Sequence, residues 1–544
     1  MARPVGVTTD LSRREKECSR MGARSGESSK DSLKRNQPEV WLNGGRVTDV
    51  TEEPIFAGPI ATIAEQYDLQ LDPRYTDFAT TSGYSTSFLI PRSKEELIRR
   101  RQTYKIRADH TFGFMGRAPD FMNAIVTDFS LQADLFGSGG SPAYGDNIVN
   151  YYEHVRDRDL FLTHMLVNPQ VDRSRTSAQQ EDPFTHLGRV RHTSDGIVVR
   201  GAKMLGTMAP LCEEVMVWPF GGVPEGDDAY ALGFGIPTNT TGLRFICREG
   251  IVPPGRNRFD HPLSSRFEEM DCIAIFDDVL IPWDRVFIDG GSPAARDVCN
   301  QLRPRDGTVA VQTAARTLSS LEFFCGLAMQ LADAVGIDNF LHVQEKLGEC
   351  LLELETFRGS FYGSEALAAE RPNGVWSVHQ PYLAAANLRA PRVYPRIVEI
   401  IQTLAAGGFF YAPTFADLDE PNIRPDLERY VRGRPGVDAN DRIALFKLAW
   451  DATGDSFGSR MLQYAKYYSG DPIRNWAGWY LGYPFKDALF ESVNRARGLV
   501  DETGHVDDLA IPVSPQDPTE TPVTSPPPPG VLEGTYPVTP RSGG

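Results

Sequence analysis

The sequence predicts a mainly α protein with a small β domain at its centre, and three observations carry that prediction. Apolar residues recur at near-helical spacing through about residue 163, as at Ile60, Ile63, Ala64, Tyr67 and Leu69. The period then changes to two across a series of short segments between turn residues, which indicates a small β barrel or sandwich. From about residue 300 to 500 broad apolar faces return, over Gln312 to Leu331 and Leu347 to Leu367, and suit a helical bundle. A chain of 544 residues exceeds one compact core, so two or three domains are expected.

Taken in order, residues 1–37 are rich in Arg, Lys, Ser and Glu and read as a disordered extension. Residues 38–165 read as an N-terminal helical domain. It opens on a hairpin, Val40 to Val47, whose Asn-Gly-Gly supplies positive φ at the turn. Ser93-Lys-Glu-Glu96 is a capping box, and the Arg99-Arg100-Arg101 triplet after it reads as a solvated face. In Phe112-Gly-Phe-Met-Gly-Arg117-Ala-Pro119-Asp120-Phe121 the glycines allow close backbone approach, and Pro119 with Asp120 starts a new helix. Arg117 lies in an apolar, small-residue context, so its guanidinium needs either a carboxylate partner or a ligand anion. Residues 124 to 163 read as helical, interrupted at Gly137-Ser-Gly-Gly-Ser-Pro142.

The stretch from Arg156 to Arg175 organises the rest. It starts as a charged helix end, is apolar from Leu160 to Val167 except at Thr163 and His164, and breaks at Asn168-Pro169. Proline removes a donor and pushes the preceding residue toward extended geometry, so a helix is expected to stop there. His164 is either a satisfied core histidine or a polar group delivered into a pocket.

Residues 166–295 are the β domain, with strands expected at 190–193, 196–202, 214–218, 229–236, 243–246 and 272–276. Residues 296–510 form the bundle, interrupted at Gly407-Gly408 and at the small-residue run Asp451 to Arg460. Residues 511–544, with Pro526 to Pro529, read as a disordered, Pro-rich tail.

Charge and cysteines exclude several function classes. A net charge of −16 and a pI near 5.2 argue against nucleic acid and anionic membrane as partners. The seven cysteines show no C-x-x-C and no zinc spacing, and read as reduced thiols of a cytoplasmic protein. No run reaches the length of a membrane span, and the start lacks a signal peptide's apolar region.

Helices, a small β domain and a helical bundle, in that order, resemble the acyl-CoA dehydrogenase architecture. The motifs narrow the likeness: Gly116-Arg-Ala-Pro-Asp-Phe121, Leu162-Thr-His-Met-Leu-Val-Asn-Pro-Gln170, Gly201-Ala-Lys-Met-Leu-Gly-Thr207, Asp260 to Asp271, and Phe276 to Phe287. Together, over roughly residues 38 to 500, they resemble the oxygenase components of the 4-hydroxyphenylacetate 3-hydroxylase family and its chlorophenol-oxidising relatives.

The resemblance implies a two-component flavin monooxygenase. A separate NAD(P)H:flavin reductase supplies FADH2, which reacts with molecular oxygen to a flavin C4a-hydroperoxide and ortho-hydroxylates a phenol. It further implies a homotetramer. Carried over by motif, Arg117 and His164 hold the phenolic oxygen. Thr207 bonds the flavin ring, and Asn168, Pro169, Gln170, Asp172 and Arg173 contact the cofactor. Ser469, Gly470 and Asp471 complete the flavin site. No metal is implied.

Electrophilic hydroxylation is faster on a phenolate, so a fixed cation and an imidazole that can take a proton suit the reaction. Water must be excluded to avoid losing the oxidant as peroxide.

Two departures from the family pattern stand out. Phe121 replaces a usual tyrosine, and Val311-Gln312 replaces the His-Gln expected of chlorophenol oxidisers. The stretch Trp218-Pro219-Phe220-Gly221-Gly222, where relatives offer hydroxyls to a substrate carboxylate, has none. A bulkier phenol than 4-hydroxyphenylacetate, including a carrier-tethered one, is therefore expected.

Two rivals share the fold. The 4-hydroxybutyryl-CoA dehydratase branch needs an iron–sulfur cluster, yet no cysteine lies between Cys18 and Cys212. An acyl-CoA dehydrogenase-like oxidoreductase would need a glutamate base and lacks these motifs.

Overall fold

The computed structural model describes residues 22–78, 83–219, 222–252, 257–303 and 307–499. The expected tail at 511–544 lies outside them, as do residues 1–21.

The first described element is a helix. α1 (Gly26–Arg35) is capped by Ser25, whose hydroxyl accepts from Ser28 N, and it buries Leu33. Just ahead of it Arg24 makes a two-pronged bond to Glu213, at 2.6 and 2.5 Å. The expectation of disorder through residue 37 therefore fails from residue 22 onward. A polar composition hid a short amphipathic helix latched to the β domain by one buried ion pair.

The N-terminal helices are α2 (Ala57–Leu69), α3 (Lys94–His110), α4 (Pro119–Ser130), α5 (Ala133–Gly137) and α6 (Ala143–Arg158). Ser93 caps α3 through Glu96 N, but the Glu96 carboxylate turns to Arg92 N, so only half of the capping box forms. The arginine triplet is not a solvated face. Arg100 is buried and donates to Leu89 O at 2.8 Å, while Arg101 pairs with Glu365 of the bundle.

The β strands are β1 (Glu39–Leu42), β2 (Gly45–Val47), β3 (Leu162–Met165), β4 (Gly188–His192), β5 (Gly196–Lys203), β6 (Glu214–Val217), β7 (Gly233–Pro237), β8 (Leu243–Cys247), β9 (Cys272–Pro282) and β10 (Val286–Ile288). They form a six-stranded sheet, β2-β1-β8-β9-β5-β4, and a four-stranded one, β10-β7-β6-β3. The β1–β2 hairpin turns at Asn43 and Gly44, both at positive φ.

Two strands of the segment read as the N-terminal helical domain join the β sheets, the hairpin strand β1, which was expected, and β3, which was read as helix. β1 pairs parallel to β8, and β3 pairs parallel to β6 with His164 opposite Met216. The division at residue 165 is thus not a boundary between layers. α6 ends well before Asn168-Pro169, because Asp159 takes the left-handed conformation (φ 48°) and its buried carboxylate accepts from Gln70 and Arg24 N. The next element, β3, is buried on both faces, and its unbroken apolar run has no period to distinguish it from a helix.

A short α7 (Ser264–Phe267) and α8 (Pro293–Gln301) lead into the bundle. Its long members are α9 (Thr308–Ala334), α10 (Leu341–Ala366) and α11 (Gln380–Ala405), joined near 369–377 by a two-stranded ribbon, β11 (Ala369–Glu370) and β12 (Trp376–Ser377). Then come α12 (Phe415–Asp419), α13 (Arg424–Tyr430), α14 (Ala439–Thr453), α15 (Ser456–Tyr467), α16 (Pro472–Leu481) and α17 (Lys486–Ala496). α9 is the central rod, packed against α3, α4, α10 and α11. One apolar cluster runs through the helical, β and bundle layers. No described helix is long and apolar enough to cross a membrane.

Candidate active site

The loop before α4 meets the bundle at two glycines. A Cβ on Gly113 would lie 2.2 Å from Ser320 Oγ, and one on Gly116 would lie 2.6 Å from the hydroxyl of Tyr464 and from the Tyr468 ring. Only a bare backbone fits there, and Arg316 of α9 secures it by donating to Gly113 O at 2.8 Å. The close approach read from the sequence is thus made against α9 and α15.

Arg117 comes directly after and is buried. Its guanidinium carbon lies 4.1 Å from the ring centre of Phe121, 4.9 Å from that of Tyr468 and 5.5 Å from that of Tyr464. Each such stacking contributes about 0.5–2 kcal/mol when desolvated. Among the described residues the guanidinium has no carboxylate partner. Nε and Nη1 are buried without an acceptor, and the nearby Glu269 takes the backbone N–H of Arg117 at 2.5 Å instead. A buried cation with spare donors and aromatic walls is suited to a ligand anion.

β3 delivers His164 to the same box. Its ring lies edge-on to Trp218 at 5.6 Å and tilted against Phe121 at the same distance. Burial and the Arg117 charge hold its pKa well below the usual histidine value, so at neutral pH the ring is uncharged. Nδ1 is buried without a partner, as is the hydroxyl of Tyr464. A neutral imidazole can accept a proton that Arg117 cannot.

Behind this box stands a charged clamp. Arg460 of α15 bonds Asp271 through Nε (3.0 Å) and Nη2 (2.9 Å), and Glu269 through Nη1 at 3.1 Å. Asp271 in turn accepts from the Thr207 hydroxyl at 2.7 Å, and Thr163 Oγ1 donates to Thr207 O at 2.7 Å. Thr207 occupies a tight loop in which Leu205 and Met208 take positive φ, and the Leu205 side chain is 56% exposed. One arginine therefore couples the Arg117 loop, the Thr207 loop and α15.

The remaining residues assigned to the cofactor are spread out. Asn168 Oδ1 accepts from the buried Lys203 at 2.7 Å, and His186 bonds Pro169 O at 2.9 Å, so this part of the loop is rigid. Burial pushes Lys203 down to about 8. Gln170 and Arg173 are exposed, while Asp172 accepts from Ser174 and pairs with Arg175. Ser469 is exposed, Gly470 has φ 99°, and Asp471 caps α16 by accepting from Arg474 N. None of these makes a described contact with the Arg117 box. Pro219 is half-buried beside Trp218, and Phe220 lies outside the described residues.

The sequence reading missed Tyr464, Tyr468, Arg460 and the roles of Glu269 and Asp271. Tyr464 and Tyr468 stand at i, i+4 on one helix face, a signal that was present but ordinary for a core stripe. The clamp depends on contacts across 189 residues, which no local pattern discloses.

A mainly helical fold with a central β sandwich, and a buried aromatic box holding a cation beside a neutral imidazole, define the class as a flavin-dependent aromatic monooxygenase. Family models for the N-terminal and C-terminal parts of 4-hydroxyphenylacetate 3-hydroxylase match residues 25–288 and 299–496. The chain belongs to that family.

It is 42% identical over 477 residues to the 4-hydroxyphenylacetate 3-monooxygenase oxygenase component of Thermus thermophilus, covering 86% of this chain and 96% of that one. It is 32% identical to a Streptomyces globisporus monooxygenase of (3S)-3-amino-3-(3-chloro-4-hydroxyphenyl)propanoyl-[peptidyl-carrier protein], covering 82% and 85%. A crystal structure of an oxygenase component complexed with FAD and 4-hydroxyphenylacetate is similar at TM-score 0.81 and 40% identity, covering 88% of this chain and all of that one.

Proposed function

We propose that this chain ortho-hydroxylates a phenol, taking FADH2 from a separate NAD(P)H:flavin reductase and using molecular oxygen. The observation that carries the reading is the Arg117 box: two guanidinium nitrogens, His164 Nδ1 and the Tyr464 hydroxyl, all buried and all without a partner among the described residues. The residues fit a flavin as well. The Thr207 hydroxyl, whose proton goes to Asp271, can still accept from a flavin N–H, and the exposed Leu205 of the same loop follows Lys203 and Met204, which bond Asn168 and Val167. When bound, reduced FAD supplies the activated oxygen atom, so that phenol, FADH2 and oxygen give catechol, FAD and water.

Arg117 binds the phenolic oxygen and favours phenolate. His164, uncharged, accepts the hydroxyl proton. Phe121, Trp218, Tyr464 and Tyr468 shut out water. Phe121 cannot donate a hydrogen bond, whereas the Tyr464 hydroxyl can. Gln170, Asp172, Arg173, Ser469, Gly470 and Asp471 are assigned to the flavin by family resemblance.

The substrate reading is a phenol bulkier than 4-hydroxyphenylacetate, free or carrier-tethered. It is supported by the uncharged Trp218-Pro219 wall and by the carrier-bound substrate named for the Streptomyces relative. The test is steady-state turnover with excess reductase, scoring catechol against hydrogen peroxide. Larger phenols, including a carrier thioester, should show coupled turnover at least about tenfold more efficient than 4-hydroxyphenylacetate, the scale of one lost pocket contact. Best coupling on 4-hydroxyphenylacetate overturns the substrate reading, and no catechol from any phenol overturns the function.

The assembly reading is a homotetramer in the cytoplasm. α16 and α17 bury no residue of their own, yet carry Ile473, Tyr480, Leu489, Phe490 and Val493, each more than half exposed. Two helices with exposed apolar faces of this kind call for a partner, and a second copy is the simplest one. Sedimentation velocity on the full chain should give a single tetrameric species; a monomer would rule this out. The described free cysteines are almost all buried, in keeping with a reducing compartment.

A further inference from the structure

His261, Asp451 and Asp455 bring one imidazole nitrogen and two carboxylate oxygens within 4.8 Å of one another. None of them belongs to the Arg117 box. His261 opens the turn into α7, where its carbonyl accepts from Ser265 N. Asp451, near the end of α14, is fully buried, and its Oδ2 accepts from the backbone of Leu263 (2.7 Å) and Ser264 (2.9 Å). Asp455 caps α15, with Oδ1 accepting from Phe457 N and Gly458 N at 2.8 and 3.1 Å. Each carboxylate is therefore fixed in place by backbone donors through one oxygen.

One carboxylate oxygen of the cluster is under-satisfied. Among the described residues Asp451 Oδ1 is buried with no donor, and the hydroxyl of Ser264 beside it has no partner. Lys447, one turn earlier on α14, pairs with Asp260 at 3.4 Å and not with Asp451. Two adjacent carboxylates, one fully buried, are held together by a shared proton or by a shared cation.

We propose that His261, Asp451 and Asp455 form a binding site for one first-row divalent cation, of the Zn2+ or Mn2+ type. An imidazole with two carboxylates and no thiolate suits these ions, whereas Mg2+ and Ca2+ prefer all-oxygen sets. Metal–ligand bonds of about 2.0–2.2 Å place ligand atoms roughly 3–3.5 Å apart, so the three side chains need to close by no more than about 2 Å on binding. The ion ties the turn ahead of Glu269 and Asp271 to the corner between α14 and α15. α15 carries Arg460 and Tyr464, so these ligands are positioning residues and the ion is a staple behind the site.

The test uses the full chain, stripped with EDTA and dialysed, then titrated with MnCl2 by calorimetry and electron paramagnetic resonance, and with ZnCl2 by calorimetry. One ion per chain is expected, and saturating metal should raise the unfolding midpoint by about 2 °C or more. Asp455→Asn keeps a capping side chain and His261→Gln keeps a polar one. Each should weaken binding by about tenfold or more, while the exposed control Ser456→Ala binds as wild type. Circular dichroism shows which variants are folded, and one folded ligand variant suffices. No saturable uptake, the result if the carboxylates merely share a proton, overturns the proposal. So does unchanged stoichiometric binding in a folded ligand variant.

Discussion

Arg117→Ala is expected to lower coupled hydroxylation by about 10²–10³-fold, or about 3–4 kcal/mol, inside the range of about 2–5 kcal/mol for removing one buried charged partner. Oxygen consumption should continue, with the electrons emerging as hydrogen peroxide. The substitution is clean because the structural tie of residue 117 is its backbone N–H to Glu269, which alanine keeps. Arg117→Lys should restore little. The planar guanidinium stacks on Phe121 at 4.1 Å and keeps two spare donors, whereas an ammonium has neither the plane nor the fork. An oxygen electrode with product chromatography reads both quantities. Coupled turnover of Arg117→Ala within about threefold of wild type would remove Arg117 from the phenol site.

The layered fold was legible because its signals are local. A change of period from 3.6 to 2 and back marks the β sandwich, and Pro119 and Ser93 mark helix starts that the structure shows. The box was legible in part, since Arg117, Phe121 and His164 do meet. Where the reading went astray, a local signal was outvoted by distant contacts. Leu162 to Met165 became a strand because β6 pairs with it, though nothing in a run buried on both faces distinguishes strand from helix. Residues 26–35 are polar in sum but hold Leu33 against the core. Arg100 and Arg101 were given to solvent, yet they find Leu89 O and Glu365 across a tertiary contact. Tyr464 and Arg460 reach the site only because the bundle folds back over the β domain.

Arg460→Ala is expected to be the most destabilising single change at the site, by about 3–5 kcal/mol, because it removes the cation of Glu269 and one of the two paired with Asp271 in a largely buried setting. Glu269 is fully buried, and Asp271 keeps only Arg248 at 3.2 Å and the Thr207 hydroxyl. The pH dependence separates this from ordinary loss of packing. Burial alone would raise the Asp271 pKa, but Arg460, with Thr207 and Arg248, brings it down to about 2. A depressed carboxylate adds stability above its unfolded value near 3.9 and loses it as pH falls through the folded one, here between roughly pH 4 and 2. Without Arg460 the balance tips toward the raised side. The variant should therefore gain stability relative to wild type on acidification from pH 7 to 5, as Asp271 takes up a proton. Asp271→Asn in the Arg460→Ala background should recover part of the loss, giving a double-mutant coupling of about 1–3 kcal/mol. Thermal unfolding of the four proteins at pH 7 and pH 5 measures every one of these terms. Equal pH slopes for wild type and Arg460→Ala, together with additive losses in the double mutant, would show that Arg460 contributes packing and not charge.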